Sequence, residues 1–278
     1  MTRRIDAHQH FWRLSRGDYA WLTPDLHTIH RDFLPEDIKP LLRSNGISGT
    51  VLVQAAPTEA ETEFMLSLAR DHAFIEAVVG WVDFEAADAP ARIAKLAADP
   101  KLKGLRPMIQ DLPDDDWMLR PSLAPAFRAL IGQGLVFDAL VLPRHLTNLS
   151  VLLARHPGMR TIIDHCAKPA IAAGDIAGWA HDMRRLASET EAFCKLSGLV
   201  TEADAGWSVE TLRPCVDFVL EHFGPDRLIW GSDWPVCLLA SDYASWLEAT
   251  DVLLGGCTDG ERDAILGGNA IRAYGLAK

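Results

Sequence analysis

RRIDAHQHFW, residues 3–12, carries the chain's first apolar run and closes it on two histidines. In a strand, alternate residues share a face. The spacing therefore predicts Asp6, His8 and His10 on one side and Ile5, Ala7 and Gln9 on the other. Two imidazoles on one face can share a metal ion or a substrate, and they can equally be solvated on a short edge strand. The turn that follows, HQHFWR, lacks the glycines that an open dinucleotide-binding sheet needs after its first strand. A closed barrel is the alternative.

Working outward, strand-like runs are expected at 4–8, 50–56, 75–83, 102–109, 135–142, 161–167, 192–199 and 228–233. Helix-like segments lie near 35–45, 58–72, 88–98, 122–132, 145–155, 175–190, 208–223 and 240–254, with a further helix over 259–273. Pro, Gly, Asp or Ser marks most junctions, and Thr58 with Glu61 reads as a capping box. Eight strands alternating with eight helices is the count of a parallel barrel. Several strands are continuous apolar runs, as expected when helices cover the outer face. The fold class is α/β: one (β/α)8 TIM barrel with an extra C-terminal helix, a single domain over residues 1–278.

Composition narrows the function. A formal net charge of −11 and a pI near 5.3 disfavour nucleic acid, which needs a basic surface. MTRRIDAHQH has no apolar stretch of signal-peptide length, and no run of about 18 apolar residues suggests a membrane span. The five cysteines are scattered and odd in number, which reads as reduced thiols in a cytoplasmic protein. The expected partner is a small molecule, with neither nucleic acid nor membrane. A homo-oligomer is compatible with the sequence.

In a barrel the chemistry sits at the C-terminal strand ends. Those ends offer His8 and His10, Gln54, Arg106, Asp138, His165 with Lys168, Ser197 and Asp233; His145 lies just beyond strand five. Asp138 is a candidate partner for Arg106. Ionisable groups at buried strand ends need partners or a task. Three imidazoles and a carboxylate converging on the axis suit a zinc-type ion with an open position. Without metal, the same set could hold a carbonyl and a water beside an Asp base.

DAHQH, IIDHCAKP, IWGSDWP and the tail GGNAIRAYGL together resemble the amidohydrolase superfamily. More narrowly they are similar to its amidohydrolase-2 branch of sugar-lactone hydrolases, of the L-fuconolactone and L-rhamnonolactone type, which also holds a pyrone-dicarboxylate lactonase. The resemblance implies a (β/α)8 hydrolase with His8, His10, His165 and Asp233 as metal ligands and Asp233 as the base. One departure matters. Where many members carry a modified lysine on strand four, this chain has Arg106, which argues against a two-metal site. One divalent ion, zinc first, is implied, and metal-independent catalysis stays open. His145 is displaced from the place of a strand-five metal ligand.

A dicarboxylate substrate asks for several cations in the pocket, and only Arg106 and Lys168 stand out, with Arg144 a third. A neutral polyol asks for aromatic faces. The expected substrate-binding residues are Trp12, Trp21 and His30 from the long first loop, Gln54, and Trp234. The expectation is ring opening of a sugar lactone by water. Asp233 serves as base, and His165, Arg106 and Lys168 as catalytic support. A pyrone-dicarboxylate-type lactonase, a metal-dependent decarboxylase and a non-catalytic binding barrel are the alternatives.

Overall fold

The computed structural model describes residues 3–277; Met1, Thr2 and Lys278, included in the one-domain reading, lie outside them. Eight strands form one sheet in sequence order, and every ladder is parallel. They are β1 (Arg4–Gln9), β2 (Ile47–Val53), β3 (Ile75–Gly80), β4 (Leu102–Leu105), β5 (Val136–Ala139), β6 (Thr161–Ile163), β7 (Phe193–Leu196) and β8 (Leu228–Trp230). Helices α1 (Pro35–Ser44), α2 (Glu59–Asp71), α3 (Ala89–Ala97), α4 (Ala124–Gly132), α5 (Leu146–Arg155), α6 (Ala177–Glu189), α7 (Val209–Phe223) and α8 (Tyr243–Leu253) follow them in turn. The expected C-terminal helix is α9 (Asp259–Asp263) and α10 (Asn269–Tyr274), joined by a π-helical turn at Ala264–Gly268.

Each of α1 to α8 buries the stripe its sequence prescribes. In α5, Leu146, Leu149, Leu152 and Leu153 recur at three- and four-residue spacing and are buried. Each such burial stabilises by about 1.5–3 kcal/mol. The start of α2 is only half the expected box. Thr58 Oγ1 accepts from Glu61 N at 3.1 Å, but the Glu61 carboxylate turns inward to accept from Ala55 N and Ala56 N. It secures the β2–α2 turn instead of the helix end.

Inside the barrel, Ile5, Ala7, Val51, Val53, Ala77, Val79, Val136, Ile162 and Ile229 make an apolar floor. Ala270, Ala273, Tyr274 and Leu276 of the C-terminal segment join that cluster and close it from below. From β3 to β8 the predicted strands are longer than those observed because their last residues leave the ladder to carry polar side chains, whereas β1 runs one residue further than expected and β2 starts three residues earlier. β6, expected to reach 167, ends at Ile163.

β1 departs from plain alternation. Asp6 pairs with Thr50 and Gln9 with Leu52, so three residues of β1 advance against two of β2. The extra residue reverses the parity of the strand. Ala7 belongs to the inner floor. Asp6 points outward, accepting from Ser232 Oγ (2.6 Å), Ser232 N (2.9 Å) and Tyr243 Oη of α8 (3.0 Å). The prediction that Asp6 shares a face with His8 and His10 is thereby corrected. Among the described residues no helix is long and apolar enough to cross a membrane.

Candidate active site

The barrel closes where β8 meets β1. His10 N donates to Trp234 O (2.7 Å) and Asp233 N donates to His8 O (2.8 Å). This seam, outside the regular ladders, sets Asp233 against both histidines. Gly231 allows the approach, since a Cβ there would lie 2.6 Å from His8 Cβ. Asp233 itself has a left-handed backbone, φ 57°.

The imidazole Nε2 atoms of His10, His8 and His165 stand 3.2, 3.7 and 4.0 Å from Asp233 Oδ1. All four side chains are buried. Burial alone would raise the Asp233 pKa. His165, the hydrogen bond from His10, and His8 overcome it and hold the carboxyl well below the usual range. Burial pushes His165 down to about 4 against the pull of Asp233 and Asp164. His8 is likewise held well below its ordinary value, chiefly by burial.

His165 is presented by an unusual turn. His165, Cys166, Ala167 and Lys168 all have positive φ, between 50° and 57°. Non-glycine residues in this region cost on the order of 1–2 kcal/mol each. Such strain gathers at functional sites. His165 Nδ1 meets Ser197 Oγ at 2.9 Å, and Gly198 leaves room for the ring, since a Cβ there would lie 2.5 Å from Nδ1.

Beneath the histidines lies a chain of buried charge. Lys195 Nζ reaches Asp138 Oδ2 (2.7 Å), Asp164 Oδ1 (2.8 Å) and Tyr274 Oη (2.9 Å). Tyr274 also donates to Asp138 Oδ2 at 2.6 Å. Arg106 Nη1 contacts Asp164 Oδ2 (3.2 Å) and His8 Nε2 (3.3 Å). Arg106 therefore pairs with Asp164, and the expected Asp138–Arg106 pair does not form. Burial would raise Asp164, but Lys195, His8 and Arg106 carry it well below the ordinary value. Asp138 is pushed up to about 6 by burial, with Asp164 adding repulsion that Lys195 only partly offsets. Asp164, Lys195 and Tyr274 escaped sequence reasoning. A lone lysine inside the apolar run AFCKLSGL was the available signal, because a buried ammonium demands carboxylates.

A cavity of about 290 Å³ opens above this floor, lined by His10, Arg106, His165, Lys168 and Asp233 together with Trp21, Gln110, Thr201 and Glu202. Lys168 Nζ faces Glu202 Oε1 at 3.7 Å. A larger hollow of about 760 Å³ borders Thr161 and Phe193 at the opposite strand ends and holds none of these groups. Gln54 is fully buried behind the wall and donates to Arg106 O (2.7 Å). Trp12 and Trp234 are buried against Phe33, and His30 is half-buried away from the lining. His145 accepts from Leu142 N (3.1 Å) and faces Asp115, and Arg144 also pairs with Asp115. Trp12→Ala is expected to cost about 3–5 kcal/mol of stability in a urea titration. Trp21→Ala should instead raise KM and leave the free energy of unfolding within about 1 kcal/mol of the parent.

The donor set fits one cation. His10 Nδ1 is held by Val53 O at 2.8 Å and His165 Nδ1 by Ser197, the second contact that metal-bound imidazoles usually keep. His10 Nδ1 bonds Val53 O, so Nε2 is the nitrogen that faces Asp233 Oδ1, and a proton or a cation between the two joins them. Tetrahedral ligands on zinc, at about 2.0–2.1 Å, lie about 3.3–3.4 Å apart, near the 3.2–4.0 Å spread around Asp233 Oδ1. His8, His10 and Asp233 form one compact set, and His8, Asp164 and His165 another. Arg106 competes for the His8 lone pair.

A family model described as Amidohydrolase matches residues 5–276. The L-fucono-1,5-lactonase of Burkholderia ambifaria is 48% identical over 281 residues, covering 99% of this chain and 96% of that protein. Its namesake from Burkholderia multivorans is 39% identical, covering 98% and 96%. The crystal structure of an amidohydrolase from Burkholderia multivorans with bound zinc superposes with a TM-score of 0.94 at 38% identity, covering 99% of this chain and all of that one.

Proposed function

Since this chain belongs to the amidohydrolase family, we propose that it opens the ring of a sugar lactone by adding water to the lactone carbonyl. One observation carries the reading: a buried carboxylate set within 3.2–4.0 Å of three imidazoles at the base of a small cavity. The cavity also lends little to a dicarboxylate. Its two cations are already matched, Arg106 by Asp164 and Lys168 by Glu202, and acidic Asp111 adds to the lining. That speaks against the pyrone-dicarboxylate and decarboxylase alternatives.

In this reading Asp233 accepts a proton from water as the oxygen bonds to the carbonyl carbon. It returns that proton to the ring oxygen as the carbon–oxygen bond breaks, and a hydroxy acid results. Arg106 and the imidazoles face the developing oxyanion. Lys168 and Glu202 hold sugar hydroxyls, with Trp21 as an apolar wall. A divalent ion on His8, His10, His165 and Asp233 would polarise the carbonyl and acidify water. A cytoplasmic location belongs to the same proposal, supported by five free cysteines.

The test is a pH-indicator assay of aldonolactones, with and without chelator. We expect hydrolysis of L-fucono-1,5-lactone; no activity on any aldonolactone, with divalent ions supplied, defeats the proposal.

A further inference from the structure

The cavity lining is uneven. Apart from Asp233, its charged groups come from the loops after β4, β6 and β7, whereas the turn that follows Asp233, Val236–Leu239, contributes only Val236 and Leu239. Leu239 is 41% exposed, one of three large apolar side chains left in solvent among the described residues. Apolar surface at the rim of a polar cavity is uncovered until a ligand covers it.

The chemistry proposed above fixes what lies there. Asp233 hands its proton to the leaving ring oxygen, so that oxygen sits beside the carboxyl group. In a hexonic 1,5-lactone the ring oxygen is bonded to C5, and C5 carries C6. The C6 substituent therefore lies two bonds from the atom that Asp233 protonates, next to the turn that begins three residues later. Val236 and Leu239 have no polar side-chain atom to offer a hydroxyl. We infer that Val236 and Leu239 form the subsite for C6 and select a methyl over a hydroxymethyl group. This inference rests on the lactonase reading.

The matched pair L-fucono-1,5-lactone and L-galactono-1,5-lactone differs only by the hydroxyl on C6. Wild type should favour the deoxy lactone in kcat/KM by about 10- to 100-fold, the range an apolar pocket achieves against an added hydroxyl. Val236→Thr with Leu239→Asn should bring that ratio to within a few-fold of one, by slowing the deoxy lactone and improving its partner. Should the double variant fold poorly, Leu239→Asn alone decides, since this exposed side chain can change without loss of core packing. A ratio unmoved, or both lactones slowed equally, overturns the inference while hydrolysis itself stands. So does a wild type without preference. If wild type hydrolyses neither, the lactonase reading falls and takes this subsite with it.

Discussion

Asp233→Asn should lower kcat/KM for the best lactone by about 10²- to 10⁴-fold while the protein stays folded. The amide is nearly isosteric and keeps a contact to His10, but it cannot take a proton from water. The electrostatics sharpen the expectation. Because His165, His10 and His8 hold the carboxyl far below its ordinary value, Asp233 is already the carboxylate across the working range. A depressed acid loses its charge only as pH falls through its folded-state value. Asp233 therefore contributes no rising limb to kcat/KM between about pH 5 and 9, and a limb seen there belongs to another group. Near-wild-type turnover in Asp233→Asn would remove the residue from the mechanism.

Lys195→Met should cost about 3–5 kcal/mol of stability, because removing one partner strands buried charge. The ammonium serves Asp138 and Asp164 together, and both carboxylates are fully buried. A fall in Tm on the order of 10 °C would follow for a domain of this size. Adding Asp138→Asn to the variant should restore part of the loss, since Asp164 keeps Arg106. A free energy of unfolding by urea changed by less than about 1 kcal/mol would mean that the charge cluster does not hold the barrel together.

The barrel was legible because its strands and helices alternate with clear periods, and the order of elements came through without a missing member. His8, His10, His165 and Asp233 were legible as polar residues at strand ends, and they do meet. Three things were hidden. Periodicity cannot register one inserted residue, so the outward turn of Asp6 was invisible in RRIDAHQHFW, though the two histidines still face the axis. Aromatic residues in a long loop look alike in sequence. Only packing separates Trp21, which lines the cavity, from Trp12, whose Nε1 donates to Arg31 O from inside the loop's own core. Lys195 was hidden for a third reason: its partners Asp138, Asp164 and Tyr274 come from three distant parts of the chain.

The seam between β8 and β1 has a consequence for how this protein fails under stress. Seven junctions of the barrel are ladders, whereas this one is a single bridge, Gln9 with Trp234, flanked by the two backbone bonds that seat the base. Sparse pairing opens at a lower free energy than a full ladder. Breathing at the seam separates Asp233 from His8 and His10 while α1 to α8 remain packed. Warming should therefore silence the site through local fraying before the helices give way. Such an enzyme stops working before it melts.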